Sequence, residues 1–338
     1  MFKVSKDQLR KIFSEVINGK SIIDTQKFGF LYVKHMDYHT SSNIDEKRTF
    51  FFEKAKRRGL PTSEEKEKDL ISEGLWDENK NKEITDLNDY LVGLNTSKSK
   101  MILQKDIDNI KKEIERSNKE LSELSNEKME LLGYTADIYA GKKVNEFYIF
   151  DTSYKNKELT EKAFSEEDFE ELTDADISIM TVAHNSMSEK FSPINLKRIS
   201  IAPFFMNHFY LCEDNPYTFF GKCIVELTFN QCDVFSFGKY FKHVLSEMKH
   251  KPAEEVMDDP DKLIELFEVG KGAERAIEKA TEKEGTATTF VGATKEDMEK
   301  MGLATAQAKD ENVVDLSEAA AKKGGKLSME DLIKLHGV

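Results

Sequence analysis

Residues 202–223 read APFFMNHFYLCEDNPYTFFGKC, and seven of these 22 residues are Phe or Tyr in a chain that is 33% charged. Across 202–241 stand 12 of the 34 aromatic residues of the whole chain. Burying one such side chain is worth ~1.5–3 kcal/mol, so this block alone can anchor a domain. Pro203 and Asn215–Pro216 punctuate it as turns. The reading is the core of a helical domain, with a partner-facing aromatic surface as the alternative, since Tyr and Phe are also enriched at interface centres.

The block also holds His208, Cys212 and Cys223, with Cys232 beyond, a spacing of H-x3-C-x10-C-x8-C. No C-x2-C knuckle is present and bulky aromatics intervene, so these read as buried, reduced core thiols rather than zinc ligands. A Cys–His dyad, Cys212 with His208 or Cys232 with His243, lacks an accompanying oxyanion-hole signature, and acidic neighbours such as Glu213–Asp214 disfavour a reactive thiolate. Gly270–Lys271–Gly272 and Gly324–Gly325–Lys326 miss the phosphate-loop spacing. The acidic runs lack the alternating ligands and central glycine of a calcium loop. No cofactor, no metal and no catalytic residue is assigned, and the chain is read as non-enzymatic.

Outward from the block, helix signals run in both directions. Toward the N-terminus, Ser192–Pro193 starts a helix, and Thr173-x-x-Asp176 caps one carrying Ile177, Met180, His184, Met187 and Phe191. Ser165-x-x-Asp168 caps another, with Phe164 and Phe169 at the staple positions. VNEFYIF (144–150) reads as a strand. Residues 98–132 place seven apolar residues on ten heptad a and d positions, including Leu103, Ile107, Ile110, Ile114, Leu121, Leu124 and Leu131. That pattern predicts a long helix. Ile84, Leu87, Leu91 and Leu94 supply an antiparallel partner across Asn95–Thr96–Ser97, so a hairpin is expected over an intermolecular coil. Ser5 and Gln8 cap a first helix that Gly19 closes. Phe28, Phe30 and Tyr32 alternate within 27–36, a strand or arm. A helix with Phe50, Phe51 and Ala55 runs to Gly59, and Thr62 or Ser63 caps the next.

Toward the C-terminus, Thr228 starts a helix with Cys232, Phe235 and Phe241. After His250 only Phe267 and Phe290 are aromatic. Capped segments start at Asp259–Pro260, Thr294, Ser317 and Ser328, the first closed by Gly270. Each is short for an isolated helix. Leu263, Phe267, Leu332, Ile333 and Leu335 form apolar stripes that predict docking on partner chains.

The fold class is therefore mainly α and elongated, with a long helical hairpin or coiled coil, an aromatic-rich helical domain and an extended C-terminal arm of short helices. The expected segments are 1–76, an N-terminal helical region; 77–135, the hairpin; 136–250, the aromatic-cored domain; and 251–338, the arm. Net charge is −13, which repels nucleic-acid phosphate, and Lys54–Arg58 reads as the end of a solvated helix. MFKVSKDQLRKIF is charged from the start, so no signal peptide is expected, and no apolar run reaches the ~20 residues of a membrane span.

KAKRRGLPTSEEKEKDLISEGLW (54–76), the heptad helix and ISIAPFFMNHFYLCEDNPYTFFGK (199–222) together resemble virion and assembly proteins of large tailed bacteriophages. The resemblance implies a non-enzymatic tail, baseplate or neck component, or, as the alternative, an assembly chaperone or regulator that binds transiently. It implies a location in the virion or host cytoplasm. The partners it implies are other proteins of the same assembly, copies of this chain included; the net charge argues against nucleic acid and the lack of a long apolar run against membrane.

Overall fold

The computed structural model describes residues 4–248 and 252–281, together with Ala293 and Asp297. It is mainly α. In chain order the elements are α1 (Lys6–Asn18), β1 (Lys20–Thr25), β2 (Gly29–Lys34), α2 (Tyr38–Arg57), α3 (Ser63–Ser72), α4 (Glu78–Lys98) and α5 (Gln104–Leu132). Next come α6 (Ala136–Asp151), β3 (Ser153–Tyr154), α7 (Glu166–Glu171), α8 (Asp174–Ser188), α9 (Pro193–Ile201), α10 (Pro203–Phe209) and α11 (Pro216–Phe220). The last are α12 (Phe229–Glu247), α13 (Glu254–Met257) and α14 (Pro260–Thr281), with single 3-10 turns at Glu189–Phe191, Tyr210–Cys212 and Ile224–Glu226.

Helix starts follow the side-chain chemistry that predicts them. Ser5 and Gln8, Thr62 and Glu65, Ser165 and Asp168, and Thr173 and Asp176 each form a reciprocal capping box. Each box satisfies two otherwise orphaned backbone donors. Gly19 takes the left-handed conformation that closes α1. The staple residues Phe164 and Phe169 both close on the ring of Phe150, at 4.9 and 5.5 Å.

Contacts divide the chain into two units. Unit 1 is Met1–Glu83, Glu123–Glu247 and Ala253–Pro260; unit 2 is Ile84–Ser122, Met248–Pro252 and Asp261–Val338. The expected segment 1–76 and, up to Glu247, the expected segment 136–250 thus share one unit. Its small sheet has the order β1-β2-β3, all antiparallel, with Ile23 facing Leu31 and Val33 facing Ser153. Strand β2 answers the expectation at 27–36; β1 was not expected. Residues 144–150 are not a strand. They form the second half of α6, where Ala136, Ala140 and Val144 are buried at helical spacing and the last two pack against Ile44 and Phe51 of α2. An apolar run buried on several sides carries no clear periodicity.

Helix α9 packs on α12. Ser200 is fully buried and its hydroxyl donates to the carbonyls of Leu196 and Val234, at 2.9 and 3.1 Å. Phe205, Phe209 and Phe241 have no exposed surface. At the unit 1 end of α4 and α5, Lys80 meets Glu127 at 2.6 Å and Lys128 reaches Asn81 at 2.9 Å. Those pairs tie the start of α4 to the end of α5. Lys128, a polar interruption of the heptad, is also paired with Glu67 at 2.9 Å.

In unit 2 the turn before α5 lies later than expected. Helix α4 continues through Asn95 and Thr96, whose side chains donate back to the carbonyls of Leu91 and Val92 instead of forming a turn. Leu91 and Ser117 are both buried in this unit. Asp297 accepts the backbone N–H of Gln104 at 3.1 Å and so caps α5 from far along the chain. Gly270 does not close a helix. Helix α14 runs on to Thr281, with Val269 and Ala273 buried beside Ile107. A Cβ at Gly272 would stand 3.2 Å from the Ile102 side chain, so glycine there serves close packing.

Candidate functional site

The aromatic block divides by depth. Phe205, Phe209 and Cys212 face inward, and Phe219 and Phe235 stack around them at ring separations of 5.3 and 5.2 Å. The same segment turns Tyr210, Leu211, Tyr217, Ile224, Val225 and Phe229 outward; Leu211 is 77% exposed and Ile224 66%. So the segment supplies the expected core and also a set of exposed apolar side chains.

The backbone explains how one segment supplies both. After the 3-10 turn Tyr210–Cys212, Glu213 and Asp214 take successive positive φ values of 51° and 56°. Non-glycine residues enter this region at a cost of ~1–2 kcal/mol each, and such strain persists only where the surroundings over-determine it. Here Asp214 is held by Lys242 at 2.8 Å, and Lys242 also lies over the Tyr210 ring at 5.8 Å. The paired carboxylate holds the Lys242 ammonium above the usual lysine range. Asn215 then caps α11, and Gly221 in the left-handed region ends it. The chain is thereby folded into a short ledge whose apolar side chains stand in solvent.

A second feature is a pocket of unit 1 that is partly open to solvent. A cavity of about 210 Å³ is lined by Lys34, His35, Met36, Tyr148, Ser188 and Phe229, among others. Beside it, Ser21 lies 2.8 Å from His35 Nε2, and its hydroxyl donates to Glu15 at 2.5 Å. This resembles a catalytic relay in composition only. The Ser21 proton goes to the carboxylate, so the imidazole donates to Ser21 and cannot serve as its base. Ser21 is also buried. Burial, reinforced by His184 and Lys190, pushes His35 down to about 4. Burial alone pushes His184 down to about 4. Tyr148 is pushed up to about 12 by burial and by Asp37. The pair His35 and His184, 149 positions apart in the chain, left no signal in the sequence.

The thiols are not uniformly buried. Cys212 is buried and donates to the Phe209 carbonyl, Cys232 is half-buried, and Cys223 is exposed at the start of a 3-10 turn. His208 is exposed too. Among the described residues no three His, Cys, Asp or Glu side chains converge as a metal site. The basic run Lys54–Arg58 ends α2, with Lys54 over Phe50 and Lys56 over Phe52. Of the stripe expected to dock on partners, Leu263 is fully buried within unit 2 and Phe267 is half-buried under Lys271. Leu332, Ile333 and Leu335 lie outside the described residues.

No family model, no curated protein and no solved structure matches the chain. Among the described residues no helix is long and apolar enough to cross a membrane.

Proposed function

We propose that this chain is a non-enzymatic structural or assembly protein that holds other protein chains, and that the ledge 210–229 is a contact surface. The observation that carries this reading is the exposed set Tyr210, Leu211, Tyr217, Ile224, Val225 and Phe229 on a strained, ion-pair-held backbone. Large apolar side chains concentrated on one surface segment mark interaction sites, and aromatic residues concentrate at interface centres. The partner is another chain of the same assembly. The resemblance of residues 54–76, the heptad helix and residues 199–222 to phage virion proteins supports a tailed-phage particle as that assembly.

The test is stoichiometry. The chain should be present in fixed copy number in purified particles. Leu211→Asp combined with Val225→Asp should remove it from them while leaving its own unfolding midpoint unchanged, because both residues are exposed. Particles that form normally without the chain, or that retain the double variant at full copy number, would refute the reading. Recovery only from assembly intermediates would transfer it to a transient chaperone.

A further inference from the structure

His35, just after β2, and His184, on α8, each hold one ring nitrogen sealed from solvent with no hydrogen-bond partner: His35 Nδ1 and His184 Nε2. Such orphaned buried polar atoms are rare in folded proteins and call for an explanation. The two rings belong to one polar seam. On the α1 side, Glu15 accepts from Ser21 of β1 at 2.5 Å and from Lys190 at 3.3 Å. Ser21 has no further hydrogen to give, so it accepts from His35 Nε2–H and leaves Nδ1 as a bare lone pair. On the α8 side, Ser188 Oγ stands 3.4 Å from His184 Nδ1 and the Tyr148 ring meets His184 at 5.3 Å. Phe191 closes over His35 at 4.6 Å.

The charged groups around this seam are already engaged. Lys34 pairs with Asp37 at 2.7 Å, Lys190 with Glu15, and Lys27, in the β1–β2 turn, with Asp176 of α8 at 2.5 Å. Neither orphaned nitrogen has a hydrogen-bond acceptor beside it to receive a new imidazolium proton. A proton on either ring therefore makes a buried cation without an acceptor, and a second proton adds like-charge repulsion.

We propose that His35 and His184 form an acid-sensitive latch: proton uptake by the two rings releases α8 from β1 while α9 and α12 stay folded together. The sign is set by linkage. Both imidazoles sit at about 4 in the fold, below the ordinary value of 6.5. Folding thus favours the neutral forms, so the latch is fully closed above pH ~6.5 and weakens as pH falls toward ~4. At pH 5 the two sites together shift the closed-to-open ratio on the order of a thousandfold. Asp37 and Asp176 are held below the usual carboxylate range by hydrogen bonds and their lysine partners, so they stay ionised there and do not open the seam themselves.

Hydrogen exchange of the whole chain at pH 7 and pH 5, corrected for intrinsic rates, tests this. Peptides covering 20–36 and 174–191 should lose protection by a factor of ~100 or more, and those of α9 and α12 should lose far less. The double variant His35→Gln, His184→Leu should abolish the difference. Uniform loss across unit 1, or a pH effect undiminished in the variant, would overturn the latch. Should the variant not fold, titration of the imidazole resonances in the unaltered protein decides: transitions below pH ~5 support it, and two ordinary values near 6.5 refute it.

Discussion

Gly238 lies against Phe205 so closely that a Cβ on it would stand 2.9 Å from the ring. The same added atom would meet Phe209 at 2.9 Å. This glycine sits inside α12 and lets α10 approach it. Gly238→Ala gains up to ~1 kcal/mol of helix propensity, but overpacking a filled core costs ~1–3 kcal/mol. We expect a net loss of about 1–2 kcal/mol in urea unfolding. Phe205→Leu in the same background should recover part of it, since the two changes meet in one space.

Gln231 has no exposed surface and donates from Nε2 to the carbonyls of Val16 and Ile17, at 2.9 and 3.0 Å. Its Oε1 accepts the backbone N–H of Thr228 at 2.9 Å. One side chain therefore caps the end of α1 and the start of α12. Gln231→Ala leaves these buried groups unpaired, and about 3 kcal/mol of stability should be lost. Gln231→Glu should be worse, because it sets a carboxylate against two carbonyls. Denaturation midpoints of the three proteins check the order.

Glu213 carries left-handed strain that glycine would not. Glu213→Gly should leave stability unchanged or raise it by ~1 kcal/mol. Asp214→Gly should do less well, because it also removes the partner of Lys242. Thermal melts of the two variants give the comparison.

The thiols should label in the order Cys223, Cys232, Cys212. Cys223 is exposed. Burial, with Asp233 beside it, raises the Cys232 thiol, which lowers its thiolate fraction. Cys212 is buried and should react only on unfolding. Timed maleimide labelling with peptide mapping reads the order; early modification of Cys212 would show that the block opens.

How much of this was legible depends on how local each signal is. Ser5 with Gln8 and Thr173 with Asp176 act across three residues, and their boxes form as read. The sheet was harder. Strand β3 is two residues long and finds β2 across most of unit 1, so nothing near Ser153 announces it. Gly270 reads as a stop, yet burial of Val269 and Ala273 beside Ile107 carries α14 through it. Composition marked the aromatic block, but which of its residues face solvent is set by the turn at Glu213–Asp214, a tertiary outcome. The histidine pair depends on two elements meeting in space, and no spacing rule reaches that far.

The sheet has a consequence for how the chain is made. Val33 and Lys34 bond to residues that follow them by about 120 positions, roughly 6–24 s of synthesis at 5–20 residues per second. During that interval the outer edge of β2 has no neighbour, and an open strand edge invites pairing with other chains. Lys34, at the end of that edge, places a charge where a nascent neighbour would add its own strand. Slower translation between α2 and β3 would lengthen this exposure, so codon choice across α4 and α5 bears on the yield of correctly folded protein.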